Sequence, residues 1–424
     1  MSSKSDDIIN TPKSRRAFLR GSAAAAGAVV AGAAVAENDP AIMEVQDWRK
    51  YLGDAVDAAP YGKPIHFEDH VIRRNVPWLT ADNVASVNFT PLHELDGTIT
   101  PNGLAYERHH GGAVEIDPAQ HRLMINGLVD KEMVFTMEDL MRLPRVNETY
   151  FMECAANSGM EWHGSQMASC QFVAGMIHNC EYTGVKVSTL FDAIGVKPEG
   201  KWVLAEGGDA SGLTRSIPME KIMDDCIIAW KMNGEAMRKE QGYPIRLVVP
   251  GWEGNMWVKW LRRLEVGDQP WMKHEETSKY TDLMPDGRAR MFTWVMDAKS
   301  IVTAPSPEKP ITHGAGPLVI TGLAWSGRGK IAKVDVSIDG GANWTEARIA
   351  STNTPKSMQR FYLDIDWDGS ELFIQSRVTD ETGYVQPTRA QLREIRGEES
   401  IYHNNGIFTW HVNTDGSVEN VEVG

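Results

Sequence analysis

Four cysteines in 424 residues, with no C-x-x-C pair among them, are too few and too scattered for a disulfide scaffold, a zinc ribbon or an attached c-type haem. A long run of Lys and Arg is also missing. The formal charge is −14, and an acidic chain without a basic stripe does not suit nucleic acid. Nor is there a stretch of roughly 20 strongly apolar residues, the length a bilayer span needs. The nearest approach, Ala23 to Val35, is almost wholly Ala, Gly and Val, so it carries little insertion energy. No internal repeat is present. What remains is 42% hydrophobic residues in a chain long enough for two domains with a sizeable core.

The N-terminus reads as a targeting segment. Ser14-Arg15-Arg16-Ala17-Phe18-Leu19-Arg20 precedes the weakly apolar stretch, and Ala34-Val35-Ala36 supplies the small residues of a cleavage site. Paired arginines ahead of weak hydrophobicity resemble a twin-arginine export signal, and no stable membrane insertion is expected. Such signals carry folded proteins, which suits a chain whose cofactor is inserted before export to the periplasm.

Beyond an irregular stretch up to about residue 85, short apolar runs alternate with Gly-rich turns and a few helical patches. Thr136 to Leu143 fits a helix capped by Thr136 with Asp139 at the third position. Ser188 to Ile194 fits another, stopped by Gly195, and Arg246 to Pro250 fits a buried strand. There is no regular βαβ repeat, so the class is α+β. After the turn-rich segments Ala304 to Pro310 and Gly314 to Pro317, strict alternation sets in, as in Val334-Asp335-Val336-Ser337-Ile338, with Asp339-Gly340-Gly341 as a turn. Strands at Leu318 to Leu323, Phe361 to Ile365 and Leu372 to Val378 predict an all-β, immunoglobulin-like second domain.

Three stretches carry chemistry. Tyr106-Glu107-Arg108-His109-His110 gathers donors in a loop, and Arg108 can fork two hydrogen bonds to an oxyanion. Read alone, it is more often a surface loop. Phe151-Met152-Glu153-Cys154-Ala155-Ala156-Asn157-Ser158-Gly159 sets a thiol in a small-residue loop after an apolar run, where a soft ligand can meet a metal. In isolation a buried structural thiol is commoner there, and a nucleophile would need an oriented base that no motif supplies. The third stretch runs from Gln241 to Leu261. It places Arg246 and Lys259 at the two ends of the Pro250-Gly251-Trp252-Glu253-Gly254 turn, a phosphate or oxyanion cradle or else a hairpin with snorkelling charges.

Together, in order and spacing, these stretches resemble the sulfite oxidase family of molybdenum enzymes from about Phe89 to Val412. The likeness includes that family's β domain, through Gly322 to Gly327 and Asp339 to Trp344. It implies a division into a signal at 1–36, a molybdopterin-binding domain at 37–290 and an immunoglobulin-like dimerisation domain at 291–424. It implies Cys154 as the metal ligand and Tyr106, Arg108, His109, His110, Asp209, Gln241, Arg246, Trp257 and Lys259 as cofactor-binding positions. Arg108, Cys154, Tyr280 and Arg396 are the implied catalytic set. One molybdenum–molybdopterin per chain is implied, with no haem in this chain.

Position 159, where the family's sulfite-oxidising members carry an arginine, is glycine, and a cofactor-contacting histidine is replaced by Gln241. The loop Glu153 to Trp162 is most similar to the sulfane dehydrogenase branch of the family. That branch implies oxidation of a sulfane sulfur held on a carrier-protein cysteine, with electrons passed to a c-type cytochrome subunit. It also implies homodimerisation through the β domain within a heteromer. Gly159 is expected to open space above the metal for the carrier's arm. Free sulfite is the alternative substrate.

Overall fold

The computed structural model describes Lys50 and residues 64–423 apart from Pro77 and Ser351. The export signal read at residues 1–36 lies outside the described residues. Two five-stranded sheets build the first half. One orders Glu235–Ala236, Ile227–Met232, Ile177–Lys186 and Val146–Glu153, with Arg246–Val248 also pairing to Ile227–Met232. The other orders Met133–Phe135, Leu123–Gly127, Leu261–Gly267, Trp202–Gly207 and Thr214–Pro218. Leu123–Gly127 and Leu261–Gly267 run parallel, while the other pairings in both sheets are antiparallel.

Short helices close the connections. Met137–Met141 begins at Thr136, whose side chain accepts from Asp139 N while Asp139 accepts from Thr136 N. Caps of this kind contribute about 1 kcal/mol. The helix stops two residues before the predicted Leu143, and Arg142 forms its C-cap. Val187–Ile194 ends at Gly195, which has φ +77°. A Cβ there would lie 2.2 Å from Asp130 Oδ2, so only glycine fits.

Among the described residues the second half is all β apart from one helix, Arg389–Arg396. Its four-stranded sheet orders Lys299–Ala304, Gly316–Trp325, Gln359–Trp367 and Arg348–Ile349. Its five-stranded sheet orders Thr345–Glu346, Ile331–Ser337, Leu372–Asp380, Thr409–Val412 and Val418–Val421. This is the alternating two-sheet architecture that the sequence predicts, with strands running two to four residues longer than expected. Among the described residues no helix is long and apolar enough to cross a membrane.

Residues 65–424 group as one compact unit, and the strand Val146–Glu153 explains why. Its side chains alternate between faces. Phe151 is fully buried in the apolar cluster of the β half, 6.5 Å from Trp325 by ring centroids, whereas Met152 belongs to the core of the first half. Glu153 turns back to the β half. Its Oε1 accepts from Lys299 Nζ at 3.0 Å and Asn157 Nδ2 at 2.9 Å, and its Oε2 from Trp325 Nε1 at 2.7 Å. The residue after this buried ion pair is Cys154.

Candidate active site

The three chemistry-bearing stretches meet around one pocket, joined by Asp209, Ser211 and Tyr280. Cys154 stands on its wall, half-buried, at the end of the Val146–Glu153 strand. Burial pushes its thiol up, opposed by the Ala156 N–H and the nearby Arg108. A raised thiol is the reverse of what a nucleophile needs. A metal, by contrast, deprotonates a coordinating thiol outright. Among the described residues no three His, Cys, Asp or Glu side chains gather as a metal site, and Cys154 is the cysteine that lines the pocket.

Part of the same lining is cationic. Arg246 is buried at the start of the strand Arg246–Val248, and its hydrogen bonds go to Gln241 O at 3.1 Å, Gln241 Oε1 at 3.3 Å, Trp257 O at 3.0 Å and Met152 Sδ at 2.9 Å. None of these acceptors is a carboxylate, and Arg246 Nε has no partner among the described residues. Lys259 Nζ donates to the carbonyls of Arg108 at 3.0 Å and Glu240 at 3.2 Å and lies 2.9 Å from His109 Nδ1. Burial, with Arg246 adding to it, holds Lys259 down to about 7. Buried cations that lack counter-ions are costly, and an anion seated between them removes the cost. The phosphate of a molybdopterin is an anion of that kind, so the residues present fit the cofactor.

The Tyr106–His110 loop closes a third side. Tyr106 N donates to Thr90 Oγ1 at 3.0 Å. Tyr106 also needs Gly254, where a Cβ would sit 2.8 Å from the phenol oxygen. His109 bridges Glu107 Oε2 at 2.7 Å and Lys259, and stacks on Trp260. His110 is held down to about 4 by burial beside Arg108 and Lys259, so it is neutral near pH 7. Its Nε2 lies 3.5 Å from the Tyr280 hydroxyl, which burial beside Cys154 keeps protonated. Arg108 donates to the backbone of Ser86 at 3.4 Å and of His109, and forms no ion pair among the described residues.

Asp209 accepts from Ser211 at the pocket rim. Gln241 uses its amide to hold Tyr106 O at 2.9 Å and to receive Arg246, so it acts as a support for its neighbours. Trp257 packs under Arg246, 5.8 Å from the guanidinium, and donates its indole N–H to Trp252 O at 3.0 Å.

Two sequence expectations are corrected. Arg396 does not join the pocket. It pairs with Asp282 at 3.3 Å and Asp297 at 3.8 Å and faces a separate groove beside Trp344 and Arg377. The helix Arg389–Arg396, unforeseen in the sequence, carries it there. The space expected at Gly159 is filled, because a Cβ at 159 would lie 2.7 Å from Ile401 O.

Several residues escaped sequence reasoning. Arg215 sits over the Tyr280 ring at 5.1 Å and pairs with Glu253 at 3.2 Å, both nearly fully buried. His403 reaches the other oxygen of Glu253 at 3.0 Å. Only a charge inside an otherwise apolar aromatic run, as Glu253 is between Trp252 and Trp257, could have drawn attention to it.

Residues 110–275 match the family described as oxidoreductase molybdopterin binding domain, and residues 290–410 match the Mo-co oxidoreductase dimerisation domain. The chain belongs to the sulfite oxidase family of molybdopterin oxidoreductases. It is similar to the crystal structure of the sulfane dehydrogenase SoxCD from Paracoccus pantotrophus, at 64% identity and a TM-score of 0.89, covering 92% of this chain and all of that one. It is 27% identical to mitochondrial sulfite oxidase of Rattus norvegicus and 29% identical to an NADH nitrate reductase of Ulva prolifera, over 76% and 69% of this chain. The chain spans 64% of that sulfite oxidase and 38% of that nitrate reductase.

Proposed function

We propose that this chain is the molybdenum subunit of a sulfane dehydrogenase, oxidising a sulfane sulfur borne on a carrier-protein cysteine and passing the electrons to a c-type cytochrome subunit. The observation that carries the reading is Cys154, set on the wall of a pocket that also holds Arg246 and Lys259, neither of which forms an ion pair among the described residues. The likeness to SoxCD supports sulfane over other sulfur substrates.

One molybdopterin per chain would be held here, with Cys154 as the protein ligand of its metal and Arg246 and Lys259 as the cations for its phosphate. Tyr106, His109, His110, Asp209, Gln241 and Trp257 frame it. When bound, the molybdenum supplies two-electron oxygen-atom transfer. Each oxygen added to the sulfane sulfur comes from water, and two protons and two electrons leave with it. Arg108 and Tyr280 face that chemistry as preorganised donors to negative charge growing on the product oxygens. His110, neutral near pH 7, lies beside the Tyr280 hydroxyl and helps to fix its orientation.

A separate c-type cytochrome is taken as the electron acceptor, and the sequence holds no haem attachment motif of its own. The paired Arg15-Arg16 supports export of the folded protein to the periplasm after loading. The β half, from about residue 291, serves homodimerisation within the heteromer. Oxidation of free sulfite is a second reading, favoured by the retention of Arg108 and Tyr280 in the pocket.

The test is cytochrome c reduction by the cofactor-loaded chain, comparing a peptide whose cysteine carries a persulfide with free sulfite. The proposal expects the persulfide to give the higher kcat/KM. A metal-free protein, or preference for sulfite, would overturn it.

A further inference from the structure

Three of the charged side chains that line the pocket have the wrong sign for an anion. Glu107, Asp209 and Glu240 share the lining with Arg108, Arg246 and Lys259. A carboxylate left free there would repel a phosphate, or would pair with Lys259 in its place. Glu107 is near enough to act on the Lys259 charge through space. Yet among the described residues neither Glu107 nor Glu240 pairs with Arg108, Arg246 or Lys259.

Both carboxylates turn instead to one residue outside the lining. Arg73 Nη1 lies 3.5 Å from Glu107 Oε1, and Arg73 Nη2 lies 3.6 Å from Glu240 Oε1. Nη1 also donates to Ala105 O at 3.1 Å, one residue before Tyr106. The backbone carries Arg73 to this place. Arg74–Asn75 pairs antiparallel with Asn88–Phe89. The next layer of that ribbon is the pocket loop itself, where Asn88 N donates to Glu107 O at 3.0 Å and His109 N to Ser86 O at 2.9 Å. On the other side of Arg73, Ile72 O accepts from the buried Gln171 Nε2 at 3.0 Å. Glu107 has further restraints in Asn88 Nδ2 at 2.6 Å and His109 Nε2 at 2.7 Å. For Glu240, Arg73 is the one ion-pair partner among the described residues.

We infer that Arg73 is a positioning residue of the cofactor site. By bridging Glu107 and Glu240 it holds two carboxylates away from Arg246 and Lys259, and so leaves those cations open to the phosphate of the molybdopterin. The inference rests on the molybdopterin reading of this pocket. Arg73 acts on the cofactor through those two side chains.

The test uses the full chain produced with cofactor synthesis and reads the release of its pterin, followed by fluorescence after transfer to cofactor-free buffer. Losing the bridge should appear mainly in the off-rate, so Arg73→Gln is expected to release pterin about tenfold faster than the parent. Arg73→Lys keeps the charge and should stay within about threefold of the parent. Adding Glu240→Gln to Arg73→Gln should restore most of the retention, which a merely structural arginine would not allow. Release by Arg73→Gln within about twofold of the parent, or no recovery in the double variant, overturns the role of Arg73. If Arg73→Gln does not fold, Glu240→Gln alone decides. It removes a negative charge from the lining and should hold the pterin at least as long as the parent does, and faster release overturns the proposal. Should the unaltered chain hold no pterin, the molybdopterin reading fails instead. Arg73 is then judged with inorganic phosphate on the empty chain, which Arg73→Gln should bind roughly tenfold more weakly by calorimetry. Equal binding, or none to either chain, overturns its role.

Discussion

Replacing Arg246 with methionine separates a cofactor-binding guanidinium from a structural one. In the cofactor-free chain Arg246 is a buried cation whose acceptors are two carbonyls, one amide oxygen and a thioether, with Nε unpartnered among the described residues. Removing it leaves Gln241 and Trp257 oxygens short of donors, at about 1–3 kcal/mol each. It also relieves the desolvation of an uncompensated charge, worth several kcal/mol in the opposite sense (of the order of 3–5). The two effects largely cancel, so denaturant unfolding of cofactor-free Arg246→Met should fall within about 2 kcal/mol of the parent. Cofactor binding behaves differently. A guanidinium fork on a phosphate makes two charge-assisted bonds of about 1.5–3 kcal/mol each, so affinity should drop by roughly 10²–10⁴-fold. The assays are molybdenum content per chain and unfolding curves of protein made with and without cofactor synthesis. A variant that loads normally but loses more than about 4 kcal/mol when empty would mean that Arg246 is structural, and would refute the reasoning.

Lys299→Met strands the buried Glu153 carboxylate and should cost about 3–5 kcal/mol in unfolding, much of it recovered by adding Glu153→Gln; absence of coupling in that double-mutant cycle counts against the clamp. Lys259 is lowered to about 7 in the folded, empty site against 10.5 in an unfolded chain, so between those values the unfolded chain binds the extra proton. The stability of the cofactor-free protein should therefore rise with pH from about 7 upward relative to Lys259→Met, as read by thermal melts at constant ionic strength; a flat difference contradicts it. Cofactor binding at pH 8 should correspondingly take up a proton, which calorimetry in buffers of different ionisation enthalpy detects.

The class and much of the pocket were legible in the sequence because they rest on local signals. Thr136 with Asp139, Gly195 after an apolar helix, and alternation from Val334 to Ile338 each fix an element from neighbouring residues alone. The three chemistry-bearing stretches were legible by type, but their convergence was not: Cys154 by itself read as a buried thiol. What stayed hidden depends on contacts far apart in the chain. Gly159 looked like open space because the group that fills it, Ile401 O, is contributed by a strap with no periodicity or motif of its own. Arg396 failed for the same reason. Its helix is short and highly charged, and its direction is set by Asp282 and Asp297, which no local pattern links to it.

The central claim is that Cys154 is the one protein ligand of the molybdenum. X-ray absorption at the molybdenum edge, on the full chain and on Cys154→Ser loaded to equal metal content, tests it most directly. The account predicts that the variant loses one short sulfur scatterer and gains an oxygen, with its Mo(V) resonance shifted to match. An unchanged sulfur count would contradict it.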